Sequence, residues 1–320
     1  MLSLLSRKRV ERKFVIQKAP TPTTFEPPKV QLPPELVARL DANLEHMKVL
    51  PAIAMQALQI AKDPDCSINA FSSVVERDVK LATDMLRMAN SFVFSGGHQV
   101  TSLHQAIVRL GFRHCKNLIL SSCVGSLMRR LSVEEAWVRE TLWRHGFLTG
   151  LLAANTNNSM NLAFAGEEFT AGLIHDIGRT LFALCLPKDF ARIDPLTFIE
   201  DESVLELENQ VAGTNHCEVG AWFAQLNHLP ESLTDAIQFH HQPNRSNHNQ
   251  TLVSLIAVSD EVANFLQRSN NMTDLKPEDV PSLIHLEASG VENAVERFHA
   301  HAAAIIKLAL ADATNLTRNR

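Results

Sequence analysis

No apolar run in these 320 residues approaches the ~20 that a membrane-spanning helix needs, so no transmembrane segment is expected. An excess of basic residues is missing as well: 30 Lys and Arg stand against 35 Asp and Glu, for a net charge of −5. Without a general basic field, nucleic acid is not an expected partner. The five cysteines (Cys66, Cys115, Cys123, Cys185 and Cys217) form no CxxC pair, and an odd, unpaired set suits a reducing cytosol. The opening Met1-Leu-Ser-Leu-Leu-Ser is too short for a secretory apolar region, and its charges follow it instead of preceding it. The expected location is cytoplasmic. Convincing alternation of apolar and polar residues is absent throughout, so strands are not expected.

What is present reads as helix. The chain is 45% hydrophobic and 20% charged, ordinary for a globular protein, and its length suggests about two domains. Residues 1–33 combine a basic stretch (Arg7, Lys8, Arg9, Arg12, Lys13) with a proline-rich segment; six of the fourteen prolines fall within 20–34. That composition predicts a solvated tail, or a weak basic amphipathic helix, followed by an extended linker. Residues 34–130 predict an N-terminal helical subdomain. Ser67, Asp78 and Ser102 are placed as N-caps, and Gly111 closes one helix before another at 112–130. A second subdomain over 131–268 opens with a capping box, Ser132-Val-Glu-Glu135. A helical extension covers 269–320.

The chemistry concentrates around Thr170-Ala-Gly-Leu-Ile-His175-Asp176-Ile-Gly178-Arg179-Thr-Leu-Phe182. Apolar residues on most sides predict one buried helix over about 168–186 with a histidine and a carboxylate in its middle. A buried carboxylate is costly unless it is paired or binds a metal. Asp176 is therefore either a cation ligand or a hydrogen-bonding group to a neighbouring helix, and His175 either its partner or a core histidine. Other polar residues fall on apolar faces too. His145 shares a stripe with Val138, Leu142, Thr149 and Leu152, and Asp260 with Val253, Ile256 and Ala263. His216 lies with Val219, Gly220 and Phe223, and His240-His241 end a helix before Pro243. The acidic stretch 197–210 reads as a solvated helix face. Imidazoles and carboxylates meeting in a bundle core suit one or two divalent cations, Fe, Mn or Zn ahead of Mg, and such a site could activate water against a phosphoester.

The order His145…His175-Asp176…Asp260 resembles the HD superfamily of metal-dependent phosphohydrolases. The chain is more closely similar to the HDOD family, the HD-related output domain of bacterial signalling proteins, over residues 32–265. The matching points include Leu50-Pro51, Asp84-Met-Leu-Arg87-Met-Ala-Asn90-Ser91 and Ser102-Leu-His-Gln-Ala106-Ile-Val-Arg-Leu110-Gly111. They continue at Trp143-Arg-His145, Gly172-Leu-Ile-His175-Asp176-Ile-Gly178-Arg179, His216-Cys-Glu-Val-Gly220, Leu229-Pro230 and His240-His241. Val79 departs from the proline usual after Asp78. The resemblance implies an all-α, HD-domain-like fold of two packed helical bundles. It also implies an output or adaptor role through a signalling protein partner. Many HDOD proteins have lost HD ligands; this sequence retains them. The alternative it implies is a phosphohydrolase acting on a nucleotide or other phosphoester. His145, His175, Asp176 and Asp260 would then bind one metal, and His216, His240 and His241 complete a second. Asp176 and Arg179 would be the catalytic pair, with Arg179 steadying a phosphate oxygen. A structural metal that only staples the helices is the third expectation. The histidine pattern is also similar to the HD-GYP cyclic-di-GMP phosphodiesterases. Here, however, Gln242-Pro243-Asn244-Arg245 follows the tandem histidines and the chain has no tyrosine, which argues against that substrate.

Overall fold

Three helix starts are set by caps that the sequence displays. Ser67 Oγ accepts the Ala70 N–H (3.1 Å), Asp78 Oδ1 that of Leu81 (3.0 Å), and Ser102 Oγ that of Gln105 (3.2 Å). Each satisfies an N–H that the first helical turn leaves without a partner. The computed structural model describes residues 30–44, 51–61, 63, 65–90, 98–131, 133–199, 202–269 and 275–318. The basic tail and most of the proline-rich segment lie outside them. All regular structure among the described residues is helical, and no described helix is long and apolar enough to cross a membrane.

In order, the helices are α1 (Pro34–Leu44), α2 (Ala52–Ile60), α3 (Ile68–Val75), α4 (Val79–Ala89) and α5 (Leu103–Arg130). Next come α6 (Ala136–Met160), α7 (Glu167–Ile174), α8 (Ile177–Cys185), α9 (Pro187–Ile193) and α10 (Glu202–Ala212). Last are α11 (His216–Leu226), α12 (Glu231–Phe239), α13 (Gln250–Arg268), α14 (Leu283–Ala288) and α15 (Ala294–Arg318). Gly111 breaks α5 with φ 74° and ψ 160°, where the sequence placed a helix end. Near its middle, well past that break, α5 changes partners: Phe71, Met85, Ile107 and Ile119 share one core, while Val124, Leu127 and Met128 belong to the second.

The cores divide the chain differently from the expected boundaries. Leu36 and Leu40 of α1 join the second core, and Arg39 donates to the Cys185 carbonyl at the end of α8 (3.4 Å). Ala294, Phe298, Ile305 and Ile306 bring the C-terminal extension into the same core. The expected capping box is also corrected. Helix α6 starts at Ala136 with Glu135 in the cap position and no side-chain cap bond. The Glu135 carboxylate accepts the Trp137 indole N–H instead, and Ser132 lies outside the described residues.

Two backbone-to-backbone contacts position the site. A Cβ on Gly172 of α7 would come within 2.7 Å of Gly150 Cα on α6, and one on Gly146 within 2.5 Å of the Leu173 carbonyl oxygen. Helices α6 and α7 therefore touch through bare glycines, which brings the His145 and His175 rings to 5.3 Å. Helices α8 and α11 meet in the same way at Gly178 and His216.

Candidate metal centre

The expected single helix over 168–186 is two. Helix α7 ends at Ile174, α8 starts at Ile177, and Asp176 sits between them at φ −97°, ψ 18°. Successive residues of an unbroken helix diverge by about 100° around its axis. The break lets His175 and Asp176 reach the same interior point. Asp176 occupies the N-cap position of α8 but makes no side-chain cap bond, because its carboxylate is used elsewhere.

All seven predicted ligands converge. Asp260 Oδ1 is 2.8 Å from His145 Nε2 and 3.3 Å from His175 Nε2, and Asp176 Oδ2 is 3.6 and 3.5 Å from the same atoms. On the other side, Asp176 Oδ1 is 3.5 Å from Nε2 of both His216 and His240. His216 Nε2 is in turn 3.4 Å from His240 Nε2 and 3.2 Å from His241 Nε2. Asp176 thus turns one oxygen to each of two adjoining pockets.

What the rings do with their other nitrogen is informative. His175 Nδ1 donates to the Gly172 carbonyl (2.8 Å) and His240 Nδ1 to the Ile237 carbonyl (2.9 Å). His216 Nδ1 donates to the Glu208 carboxylate (2.8 Å) and His145 Nδ1 to Gln267 Oε1 (2.7 Å). Oxygens of this kind only accept, so a proton stays on each Nδ1 and Nε2 points inward. Metal-ligating histidines are oriented by such bonds. Nε2 of His175 and the Oδ1 atoms of Asp176 and Asp260 are buried without a well-formed hydrogen bond, despite these close approaches. Lone pairs of nitrogen and carboxylate oxygen repel at such distances unless a proton or a cation lies between them. The residues present fit a divalent cation.

Protons serve when no cation is there. Burial opposes charge on His175, but Asp176 and Asp260 raise its pKa. Burial likewise opposes charge on His216, yet Cys217 and Glu208 lift its pKa well above the usual histidine value. Asp176 and Asp260 are held well below the carboxylate range: burial works the other way, and His175 with Arg179, or His175 with His145, overcomes it. Burial and the neighbouring His240 and His216 push His241 well down. A metal would displace the protons from this cluster.

Arg179 is not placed as expected. Its Nε and Nη2 donate to both oxygens of Asp194 (2.7 and 3.0 Å), and its Nη1 donates to Asp176 Oδ2 (2.7 Å). The guanidinium is bonded to these two carboxylates and holds Asp176 in position. Asp194 escaped the sequence reading, as did Phe198, which stacks on His145 with centroids 5.2 Å apart. Glu208 is a correction. In place of a solvated face, it is 1% exposed and accepts from both the His216 backbone N–H (2.9 Å) and the ring. Its position four after Val204 and three before Val211 was the available signal, hidden by the acidic run around it. Asn215 Oδ1 caps α11 through the Glu218 N–H (3.1 Å). Asn215→Ala is expected to cost about 1 kcal/mol in urea unfolding; no change would show that Glu208 alone secures this end.

A polar cleft of about 800 Å³ opens onto the ligands, bordered by Cys217, His240, His241 and Asp260. The sequence matches the family model described as HDOD domain over residues 47–243. An uncharacterized protein of Treponema pallidum (strain Nichols) is 25% identical over 234 residues, 72% of this chain; the chain spans 45% of that relative's length. Two crystal structures are similar in fold. One is an HDOD domain protein with unknown function from Geobacter sulfurreducens, with a TM-score of 0.67 and 22% identity, covering 87% of this chain and 98% of that one. The other, described as a candidate phosphohydrolase, comes from Shewanella amazonensis SB2B, with a TM-score of 0.63 and 21% identity, covering 86% of this chain and 97% of that one. The family match extends over more than half of the sequence: this chain belongs to the HDOD family.

Proposed function

We propose that this chain is an HDOD-type output module of signal transduction that acts by protein–protein interaction and carries a divalent-metal centre. The observation behind the adaptor role is the charge around the cleft. Glu206, Glu218, Glu261, Glu278 and Asp279 border it against Arg245 and Arg268. Arg179, bonded to the ligand Asp176, is committed to carboxylates. Such a rim repels an approaching phosphoester and leaves none of Arg179's charge for it. The cation, Fe, Mn or Zn, would be held by His145, His175, Asp176 and Asp260, with a second position at His216, His240 and His241. It would tie α6, the α7–α8 junction, α11, α12 and α13 into one unit and stabilise the loaded form.

A metal-dependent phosphohydrolase is the second reading, favoured by one feature: Asp260, His240 and His241 border an open cleft. Catalytic metal sites keep an open side, whereas structural ones are closed. A divalent cation there would supply Lewis acidity toward a phosphoryl oxygen. Asp176 and Asp260 would orient it, and Arg179 would keep Asp176 in place.

One experiment separates the two. Protein purified anaerobically without a histidine tag is reloaded with Fe(II), Mn(II) or Zn(II) and compared with Asp176→Ala. About one or two equivalents of metal are expected by elemental analysis, with loss in the variant. No turnover of bis-p-nitrophenyl phosphate or of nucleotides is expected beyond that of the variant. Turnover confined to the loaded wild type would overturn the adaptor reading and establish the hydrolase. Two folded proteins without metal would remove the centre altogether.

A further inference from the structure

Resting on the metal-centre reading, we propose that Cys217 is a thiolate ligand, so that the second position is a zinc site of one thiolate and three imidazoles, made of His216, Cys217, His240 and His241. Cys217 follows His216 in the first turn of α11, and its Sγ lies 3.5 Å from His216 Nε2. His216 Nε2 is 3.4 Å from His240 Nε2 and 3.2 Å from His241 Nε2, and all four donor atoms lie within 4.8 Å of one another. With Zn–N near 2.0–2.1 Å and Zn–S near 2.3 Å, the edges of a tetrahedral site are roughly 3.3–3.6 Å long. Two of the three separations, 3.5 and 3.4 Å, fall within that range and the third, 3.2 Å, lies just below it, from residues on two different helical segments.

The surroundings hold these donors in place. Glu208 fixes the His216 ring and its backbone, Ile237 fixes the His240 ring, and Asn215 caps the turn that carries Cys217. Cys217 is buried, yet it borders the cleft, which gives a cation a route in. The other buried cysteines differ. None of Cys115, Cys123 and Cys185 joins a ligand cluster among the described residues. The two positions are then chemically unlike. His145, His175, Asp176 and Asp260 offer imidazole and hard carboxylate oxygen, whereas the second position adds a soft sulfur donor. Sulfur favours zinc over manganese or magnesium, so a mixed-metal centre is expected. His240 Nε2, also 3.5 Å from Asp176 Oδ1, is assigned to the sulfur-containing position.

Cobalt(II) replaces zinc and reports sulfur directly. The metal-free full-length chain is titrated anaerobically with Co(II) while its absorption spectrum is followed. A near-ultraviolet thiolate-to-cobalt charge-transfer band is expected to saturate, and Zn(II) to abolish it. Cys217→Ser should lose that band while keeping visible cobalt absorption from the remaining nitrogen and oxygen ligands. Cys217→Ala should behave likewise, and far-ultraviolet circular dichroism reports whether each variant is folded. Cobalt bound by the wild type without the band, or a band that persists in both variants, would overturn the role of Cys217 and leave the metal centre standing. No cobalt bound at all would overturn both.

Discussion

Replacing Arg179 with methionine is expected to cost about 3–5 kcal/mol of stability, because it removes one partner of a buried ionic network. The guanidinium is 5% exposed and bridges Asp176 and Asp194, which are 4% and 6% exposed. Without it, two carboxylates are left uncompensated away from water. Urea unfolding of the metal-free protein gives the number; a loss below about 1 kcal/mol would show that the network is not limiting. Arg179→Lys should recover only part, since an ammonium cannot serve Asp194 through two parallel bonds while reaching Asp176. Adding Asp194→Asn to the methionine variant should restore some stability by removing one orphaned charge, although Asp194 Oδ1 also accepts the Leu196 N–H (2.9 Å). Metal loading should weaken by about 10–100-fold in Arg179→Met, as expected when the residue that orients a ligand is lost.

Gly178→Ala should be at least as damaging. The added Cβ would stand 1.9 Å from the His216 carbonyl oxygen, 2.7 Å from its carbon and 2.9 Å from its Cα. All three atoms are backbone, so no side chain can swing aside, and α8 and α11 must part. The expected cost is about 4–5 kcal/mol, at the upper end for single substitutions. The displaced His216 should carry metal binding away with it. Gly125→Ala is the control, with nothing nearer than 3.5 Å to the added atom. It should be neutral or stabilising by up to about 1 kcal/mol, since glycine inside a helix is otherwise unfavourable. Equal melting temperatures for Gly178→Ala and wild type would contradict the close helix contact.

Much of the site was legible because it violates a rule. His145 among Val138, Leu142 and Leu152, and Asp260 among Val253, Ile256 and Ala263, are costly placements that need a shared compensation. Glu208 violated the same rule less visibly: its neighbours Glu202 and Glu206 made the segment read as solvent-facing. Cys217 was read only as one of five unpaired cysteines, because nothing local shows that its sulfur lies beside the His216 ring. Arg179 was misplaced for a related reason. A cation beside a predicted ligand suggests a substrate contact, and Asp194, fifteen residues on, was needed to show otherwise.

By itself the sequence determined the helical class, the caps at Ser67, Asp78 and Ser102, the break at Gly111, and that His145, Asp176 and Asp260 lie in the interior. These are local matters, decided by helical periodicity and by backbone groups that the first turn cannot satisfy. Only the tertiary structure decided that the helix through His175 and Asp176 breaks, that Arg179 turns to Asp194, and that Glu208 and Cys217 join His216. Each depends on which helices come within touching distance, and here the glycine contacts at 146, 150, 172 and 178 set those distances through long-range packing that no local pattern records.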